Sequence, residues 1–311
     1  MALPVRSGSP RWSDVRHLLS IDDLDADSAG SILDRAGQIR RREATPVTQG
    51  NDFVASLVFL SSSLRTRVGF SVAVARMGGT TVHISDLRVD PSMTGAESLD
   101  DAIRVVTGMT DVVVLRTPAL IDRTMVVRLA VRPVICGGDG GGNHPSQALI
   151  DLAAMEERGP VGELRVGICG DLSGRAALSL LGLLRLRPPR TLRLMQPEEI
   201  LGLPVCLPGV PTEVVRGLDV EDLDVLYLAG LPGHVGGISI DRDLRAAFAI
   251  TKRDLARLHD DALILSPMPV IDEIDPEVRL DPRLGIYRQS DLGVSIRMAI
   301  LEWVMSTSDP E

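Results

Sequence analysis

The sequence predicts an α/β protein of two domains, each a largely parallel sheet flanked by helices. Two observations predict it. Short β-branched runs alternate along the chain with stretches that carry apolar residues at helical spacing, which is the pattern of strands joined by crossover helices. The chain is also 311 residues long, beyond the size at which a single hydrophobic core usually stops growing.

Taken in order, strands are expected at 53–60, 80–84, 112–115, 134–136, 165–169, 191–195, 225–228 and 262–266, each a short run rich in Val, Ile, Leu or Thr. Helices are expected over 66–77, 98–108, 147–157 and 175–184. Met77-Gly78-Gly79 supplies a stop between the first of these helices and the next strand. The charged stretch 39–43 reads as a solvated helix end. The turn-rich Glu156–Gly162 marks a domain boundary, so that 1–155 and 156–287 form the two domains. A last amphipathic helix, about 292–305, is expected to pack back on the first domain, which assigns 288–307 to it. No internal repeat is present.

Composition excludes several functions. Hydrophobic residues make up 44% and charged residues 24%, as in an ordinary globular protein. A net charge of −9 argues against a nucleic-acid surface, which needs clustered cations. The basic residues are almost all arginine, and Lys252 is the single lysine. Cys136, Cys169 and Cys206 lack metal or CxxC spacing and read as buried, reduced thiols. The first residues lack the apolar core of a signal peptide, and no apolar run approaches the ~20 residues that span a bilayer. The expectation is a cytoplasmic protein without a membrane or nucleic-acid partner.

Two segments carry chemistry. Phe59-Leu-Ser-Ser-Ser-Leu-Arg-Thr-Arg-Val-Gly-Phe70 runs from a strand through a hydroxyl-rich turn into a helix. Such a helix start suits a phosphate, with Ser63 and Thr66 as hydroxyl donors and Arg65 as a bidentate clamp. On its own it reads first as an ordinary Ser-capped helix. Gly137-Gly-Asp-Gly-Gly-Gly-Asn-His-Pro-Ser-Gln147 is either a loop that lets backbone approach a ligand, with His144 donating to a carbonyl, or a connector in which His144 caps a helix.

Further elements occur in a fixed order: Leu115-Arg-Thr-Pro118, His144-Pro-Ser-Gln-Ala-Leu-Ile-Asp-Leu152, Gly170-Asp-Leu-Ser-Gly-Arg175, Pro267-Met-Pro269 with Asp272-Glu-Ile274, and Tyr287-Arg-Gln-Ser-Asp-Leu-Gly293 leading to Arg297-Met-Ala299. Together with the Ser-x-Arg-Thr-Arg segment they resemble the aspartate and ornithine carbamoyltransferases, nearer the aspartate type, over about residues 53–302. The resemblance implies transfer of the carbamoyl group of carbamoyl phosphate to an amine, without a metal or organic cofactor. It implies that Ser63, Leu64 (through its backbone N–H), Arg65 and Thr66 bind the phosphate. Thr66, Arg116 and His144 would face the carbonyl oxygen, while Gln147 and the carbonyls of Pro267 and Met268 hold the amino group. It implies a homotrimer, or a multiple of trimers, whose sites lie between the domains and borrow residues from a neighbour.

Four positions depart from that pattern. Leu64 stands where the phosphate motif usually has a small hydroxyl residue. The loop 91–98 has no lysine to reach a neighbouring site, leaving Ser92. Ala229-Gly-Leu231 replaces an Arg-x-Gln acceptor element, and Ser266-Pro-Met-Pro-Val270 loses a charged end. Arg175 remains to hold one carboxylate, and His234 follows the altered element. The expected acceptor is therefore an amino acid with a single carboxylate, for example 2,3-diaminopropionate, rather than aspartate. The alternatives are the aspartate enzyme of pyrimidine synthesis and a non-catalytic paralogue acting as a structural or regulatory subunit. His17, His83 and His259 read as surface or core residues.

Overall fold

A computed structural model of the chain describes residues 15–45, 53–87, 95, 97–200, 207–235 and 237–306. Its elements are α1 (Ala26–Arg40), β1 (Val54–Phe59), α2 (Leu64–Arg76), β2 (Thr80–Ile84), α3 (Leu99–Met109), β3 (Val112–Thr117), α4 (Arg123–Leu129), β4 (Val134–Asp139), α5 (Pro145–Glu156), β5 (Arg165–Gly170), α6 (Arg175–Leu186), β6 (Thr191–Met195), β7 (Thr212–Val215), β8 (Val225–Gly230), β9 (His234–Val235), β10 (Ile238–Ser239), α7 (Arg242–Ala247), α8 (Lys252–Leu255), β11 (Leu263–Leu265) and α9 (Ile286–Met305).

Two parallel sheets result, in the orders β2-β1-β3-β4 and β11-β8-β5-β6-β7. β3 and β4 are buried at every residue, as a parallel strand covered on both faces must be, whereas β2 lies at an edge and is largely exposed. The expected strands are all present. β3, β4, β5 and β8 each run further than expected, to Thr117, Asp139, Gly170 and Gly230, and these extensions carry the residues that matter most below.

Elements without a strong local pattern went unread. α1 was legible only as its charged end at 39–43, although Asp25 caps it, accepting from Ser28 N at 2.7 Å, and Ile32, Leu33 and Ala36 bury one face. α4, α7, α8, β7 and the β9–β10 hairpin are shorter still, and their stability comes from tertiary packing. α5 starts at Pro145, two residues before the expected helix, because proline suits the first helical position.

One apolar cluster runs through both sheets, containing Leu57 and Val114 from the first, Val166 and Leu192 from the second, and Phe70, Leu149, Leu183 and Leu301 from the helices. α9 begins at Ile286 and packs on α1, α2 and α5, so the final helix does return to the first sheet. No helix among the described residues is long and apolar enough to cross a membrane. Cys136 and Cys169 are buried free thiols, both raised to about 12 by burial, and Cys206 lies outside the described residues.

The histidines outside the motifs have structural surroundings. His83 lies 3.2 Å from Thr81 Oγ1 on β2, and His259 lies 3.0 Å from Arg165 Nη2. Half-buried His17 accepts from Val134 N through Nδ1 at 3.1 Å, and desolvation lowers its pKa from 6.5 to about 4, against the opposing pull of Asp23. A depressed histidine contributes stability that is complete above pH 6.5 and is lost as pH falls towards 4. By about pH 5 the loss should reach about 2 kcal/mol. Urea unfolding of the native chain and His17→Leu should show that extra loss in the native chain alone.

Candidate active site

The site lies where the strands of both sheets end, the usual place for a ligand in an open parallel sheet. β1 leads through Ser61–Ser63 into α2, so Ser63 is the N-cap and Leu64, Arg65 and Thr66 form the first turn. The Ser63 side chain makes no capping bond, which removes the ordinary capped-helix reading and leaves its hydroxyl for other use. The first-turn N–H groups carry the positive end of the helix dipole. Leu64 is 74% exposed, so only its backbone belongs to this turn. Thr66 is buried.

Arg116, on the extension of β3, is 7% exposed. Its Nη1 donates to Gly137 O at 2.8 Å, and its Nε is buried without a protein acceptor. Burial lowers its pKa to about 10, with Arg175 and Arg65 adding repulsion, so it stays charged at neutral pH. His144 is the N-cap of α5 by position, but its ring does not cap. Instead its backbone N donates to Ser179 Oγ at 2.9 Å, and Nδ1 lies 3.4 Å from Ser146 Oγ. Burial and then Arg175, Arg116, Arg297 and Arg65 hold its pKa well below 6.5. The imidazole is therefore neutral. In the tautomer where the Ser146 hydroxyl donates to Nδ1, Nε2–H is left to donate elsewhere.

Gly137 and Gly138 bring these side chains together. A Cβ on Gly137 would meet Thr66 Cγ2 at 3.5 Å and Arg116 Cβ at 3.6 Å. On Gly138 it would meet Arg116 Nη1 at 2.4 Å and His144 Cδ2 at 3.1 Å. Gly138 also has φ +106, so close approach and backbone conformation both require glycine there. Thr66, the desolvated guanidinium of Arg116 and the neutral imidazole of His144 thus lie together beside Gly137 and Gly138 at the end of β4.

The opposite wall comes from the second sheet. Ser266, Pro267 and Met268 follow β11, and Met268 O accepts from Arg65 Nη2 at 2.8 Å, joining the two sides. Gln147, on the first turn of α5, lines a small cavity of about 20 Å³ with Arg65, Pro267, Met268, Gln289 and Arg297. A larger cavity, about 550 Å³ between α1 and α9, contains none of these residues.

The acceptor candidates divide. Arg175 begins α6 and donates to Gly140 O at 2.8 Å, close enough to Arg116 and His144 to depress both. Ala229 packs against the main apolar cluster, Leu231 is buried in the second, and His234 is exposed on the β9–β10 hairpin. Arg175 alone of the four is placed with the donor-binding residues. Gly230, between Ala229 and Leu231, faces the carboxylate of Glu273, whose Cδ lies 3.8 Å from a Cβ built there. Ser92 lies outside the described residues.

Several residues were not singled out from sequence. Arg297, buried in α9, stacks 5.4 Å from the Phe70 ring, has an Nε without a protein acceptor, and is lowered to about 10 by burial and Arg65. Asp151, Tyr227 and Gln289 form a buried network described below. Asp151 lies within a quoted motif, one helical turn beyond Gln147, and that spacing was the available signal.

A helix start bearing arginine, meeting a desolvated guanidinium and a neutral imidazole at the ends of parallel strands, is equipment for group transfer from a phosphorylated donor. The family model for the carbamoyl-phosphate-binding domain of aspartate/ornithine carbamoyltransferases matches residues 16–157. The aspartate carbamoyltransferase catalytic subunit of Methanothrix thermoacetophila is 32% identical over 305 residues, covering 93% of this chain and 98% of the relative. That of Methanoculleus marisnigri is 35% identical over 298 residues, covering 93% and 99%. Among solved structures, the catalytic subunit of M. jannaschii aspartate transcarbamoylase aligns with a TM-score of 0.81 at 28% identity, covering 95% of this chain and 100% of that one. Trypanosoma cruzi aspartate transcarbamoylase in complex with carbamoyl aspartate and phosphate aligns at 0.80 and 25%, covering 96% and 99%. The chain belongs to the aspartate/ornithine carbamoyltransferase family and is of the aspartate type. It is a carbamoyltransferase.

Proposed function

We propose that the chain transfers the carbamoyl group of carbamoyl phosphate to the amine of an amino acid held by its carboxylate. The placement of Thr66 and Arg116 beside Gly137, and of Arg116 and His144 beside Gly138, carries this reading. The amine nitrogen attacks the carbonyl carbon and the new C–N bond forms. The developing oxyanion meets the Thr66 hydroxyl, the Arg116 guanidinium and the His144 N–H. The C–O bond to phosphate then breaks, and the leaving phosphate takes a proton from the amine. Ser63, Arg65 and the backbone N–H of Leu64 hold that phosphate, and Gln147 with the carbonyls of Pro267 and Met268 holds the carbamoyl amino group. Residues 1–155 with 288–307 form the carbamoyl-phosphate domain in this reading, and 156–287 the acceptor domain. A homotrimer in which Ser92 reaches a neighbouring site completes it, and sedimentation equilibrium tests that state.

The printed names of the relatives support aspartate as the acceptor. One observation favours a second reading, an amino acid with a single carboxylate such as 2,3-diaminopropionate. Ala229, Gly230 and Leu231 at the end of β8 carry no charge and Gly230 faces the Glu273 carboxylate, while Arg245, which lines the same small cavity, is paired with Asp272 at 3.1 Å, a surrounding that disfavours a second carboxylate and suits an ammonium. Arg175 is left for the α-carboxylate. The test is a panel of aspartate, ornithine, 2,3-diaminopropionate and putrescine with carbamoyl phosphate, followed by mass spectrometry of ureido products, with Arg65→Ala as control. Carbamoyl aspartate as the sole product establishes the aspartate reading. A ureido derivative of the diamino acid establishes the other. No product, together with no thermal stabilisation by carbamoyl phosphate, would leave a non-catalytic paralogue.

A further inference from the structure

Asp151 carries a buried carboxylate that takes no part in the proposed mechanism. This carboxylate on α5 is fully buried and has no cationic partner in its hydrogen-bond set. Three donors from three elements converge on it. Gln147 Nε2 donates to Oδ1 at 2.7 Å, Gln289 Nε2 donates to the same oxygen at 2.6 Å, and Tyr227 Oη donates to Oδ2 at 2.8 Å. Gln289 in turn accepts from Ser266 N through Oε1 at 3.1 Å. Ser266 immediately precedes Pro267 and Met268, and its Oγ accepts from Met268 N at 3.3 Å.

A carboxylate only accepts, so the atom that Gln147 turns towards Asp151 must be its NH2. The amide oxygen is thereby directed away from Asp151, on a residue that lines the small cavity shared with Arg65 and Met268. The same carboxylate sets the orientation of Gln289, whose oxygen anchors the start of the 266–268 turn. We propose that Asp151 is a positioning residue that makes the site select an amino group on the donor, by fixing the Gln147 amide oxygen and, through Gln289, the Pro267 and Met268 carbonyls as a set of acceptors. The proposal rests on the reading of Gln147 as the holder of the carbamoyl amino group.

An asparagine at 151 would keep the network, because its oxygen can accept from both glutamines and the Tyr227 hydroxyl can turn to accept from its NH2. A leucine has nearly the same shape and accepts nothing, so all three donors lose their partner. Gln289 is held at its far end by Ser266 N, and Tyr227 is buried in β8, so the half-buried Gln147 is the residue free to turn. Once turned, it presents NH2 to the amino group of carbamoyl phosphate. Acetyl phosphate is the discriminating probe, because it keeps the carbonyl and phosphate and replaces the amino group by a methyl.

Calorimetric titration of the full chain with each compound gives a carbamoyl-over-acetyl preference. Asp151→Leu is expected to lower that preference roughly tenfold, the effect of one misdirected polar contact, while acetyl phosphate binds as before. A preference that stays unchanged, whether both affinities hold or both fall together, overturns the positioning role, since general damage weakens the two ligands alike. Gln147→Ala separates the underlying reading. If it leaves the preference unchanged, Gln147 does not hold the amino group and the proposal falls with that reading. If Gln147→Ala lowers the preference and Asp151→Leu does not, the positioning role alone is wrong. Should Asp151→Leu fail to fold, Gln289→Met releases the Ser266 turn while leaving Asp151 in place. It is expected to lower the same ratio, and an unchanged ratio overturns the proposal equally.

Discussion

Arg116→Ala is expected to lower kcat for carbamoyl transfer by about two to three orders of magnitude, the usual effect of losing one oxyanion donor. The reason is the state in which the fold holds this side chain. It is 7% exposed, tied through Nη1 to Gly137 O, and its Nε has no protein acceptor. A charge in such low-dielectric surroundings acts on a developing oxyanion far more strongly than one in water. It has also been desolvated before the reaction begins, so no reorganisation is needed in the transition state. Stability should respond differently. Removing the guanidinium relieves repulsion from Arg175 and Arg65 and eliminates an unsatisfied N–H, which offsets the packing that is lost. Thermal unfolding is therefore expected to show no decrease in Tm. Arg116→Lys should not restore the rate, because an ammonium cannot bond Gly137 and the substrate in the fixed fork of a guanidinium. A kcat within tenfold of the native value for Arg116→Ala would remove the residue from the reaction.

Gly170→Ala carries the largest expected effect on stability. Gly170 ends β5 with φ +115, and a Cβ there would lie 2.4 Å from Gly230 O and 2.9 Å from Gly230 N. The obstacle is backbone, which cannot rotate aside as a side chain can. Gly230 is held in place because its carbonyl accepts from Asp171 N at 2.8 Å. An unfavourable φ costs about 1–3 kcal/mol and overpacking typically about 1–3 more, so a loss of roughly 3–5 kcal/mol is expected in urea unfolding. A loss below about 1 kcal/mol would show that β5 and β8 separate readily at their ends. Because the two strands end beside Glu273, any folded variant should also bind the acceptor less well while its carbamoyl-phosphate affinity is retained.

Much of this fold was legible because parallel strands, buried on both faces, read as apolar runs. β1, β2, β5 and β6 appear where those runs predict them, differing by a residue or two at their ends. α1 was missed because a helix of modest amphipathicity, capped by a single aspartate, gains its stability from packing on α9. The residues proposed to bind the donor lie in segments that local spacing can describe. Ser63, Arg65, Thr66, Arg116, His144 and Gln147 sit at strand ends and helix starts, where local spacing decides which way a side chain points. Ala229 and Leu231 were harder to read. Their neighbour Gly230 takes φ +74 and turns the chain, so Leu231 enters the core rather than facing the site.

The amino-acid pattern alone settles the α/β class, the order of the motifs and the family, since each depends on local periodicity and short-range spacing. It also carries the missing lysine of loop 91–98 and the missing cation after β8. Only the tertiary structure decides the protonation and orientation of the groups that those motifs supply. His144 is neutral because burial and four arginines from separate parts of the chain surround it, and Arg116 is desolvated because β4 covers it. Asp151 becomes the hub of the network because α5, β8 and α9 bring Gln147, Tyr227 and Gln289 to one carboxylate across up to 138 residues of sequence. Desolvation and long-range hydrogen bonding depend on what the whole chain places around a group, and no local window of sequence contains that information.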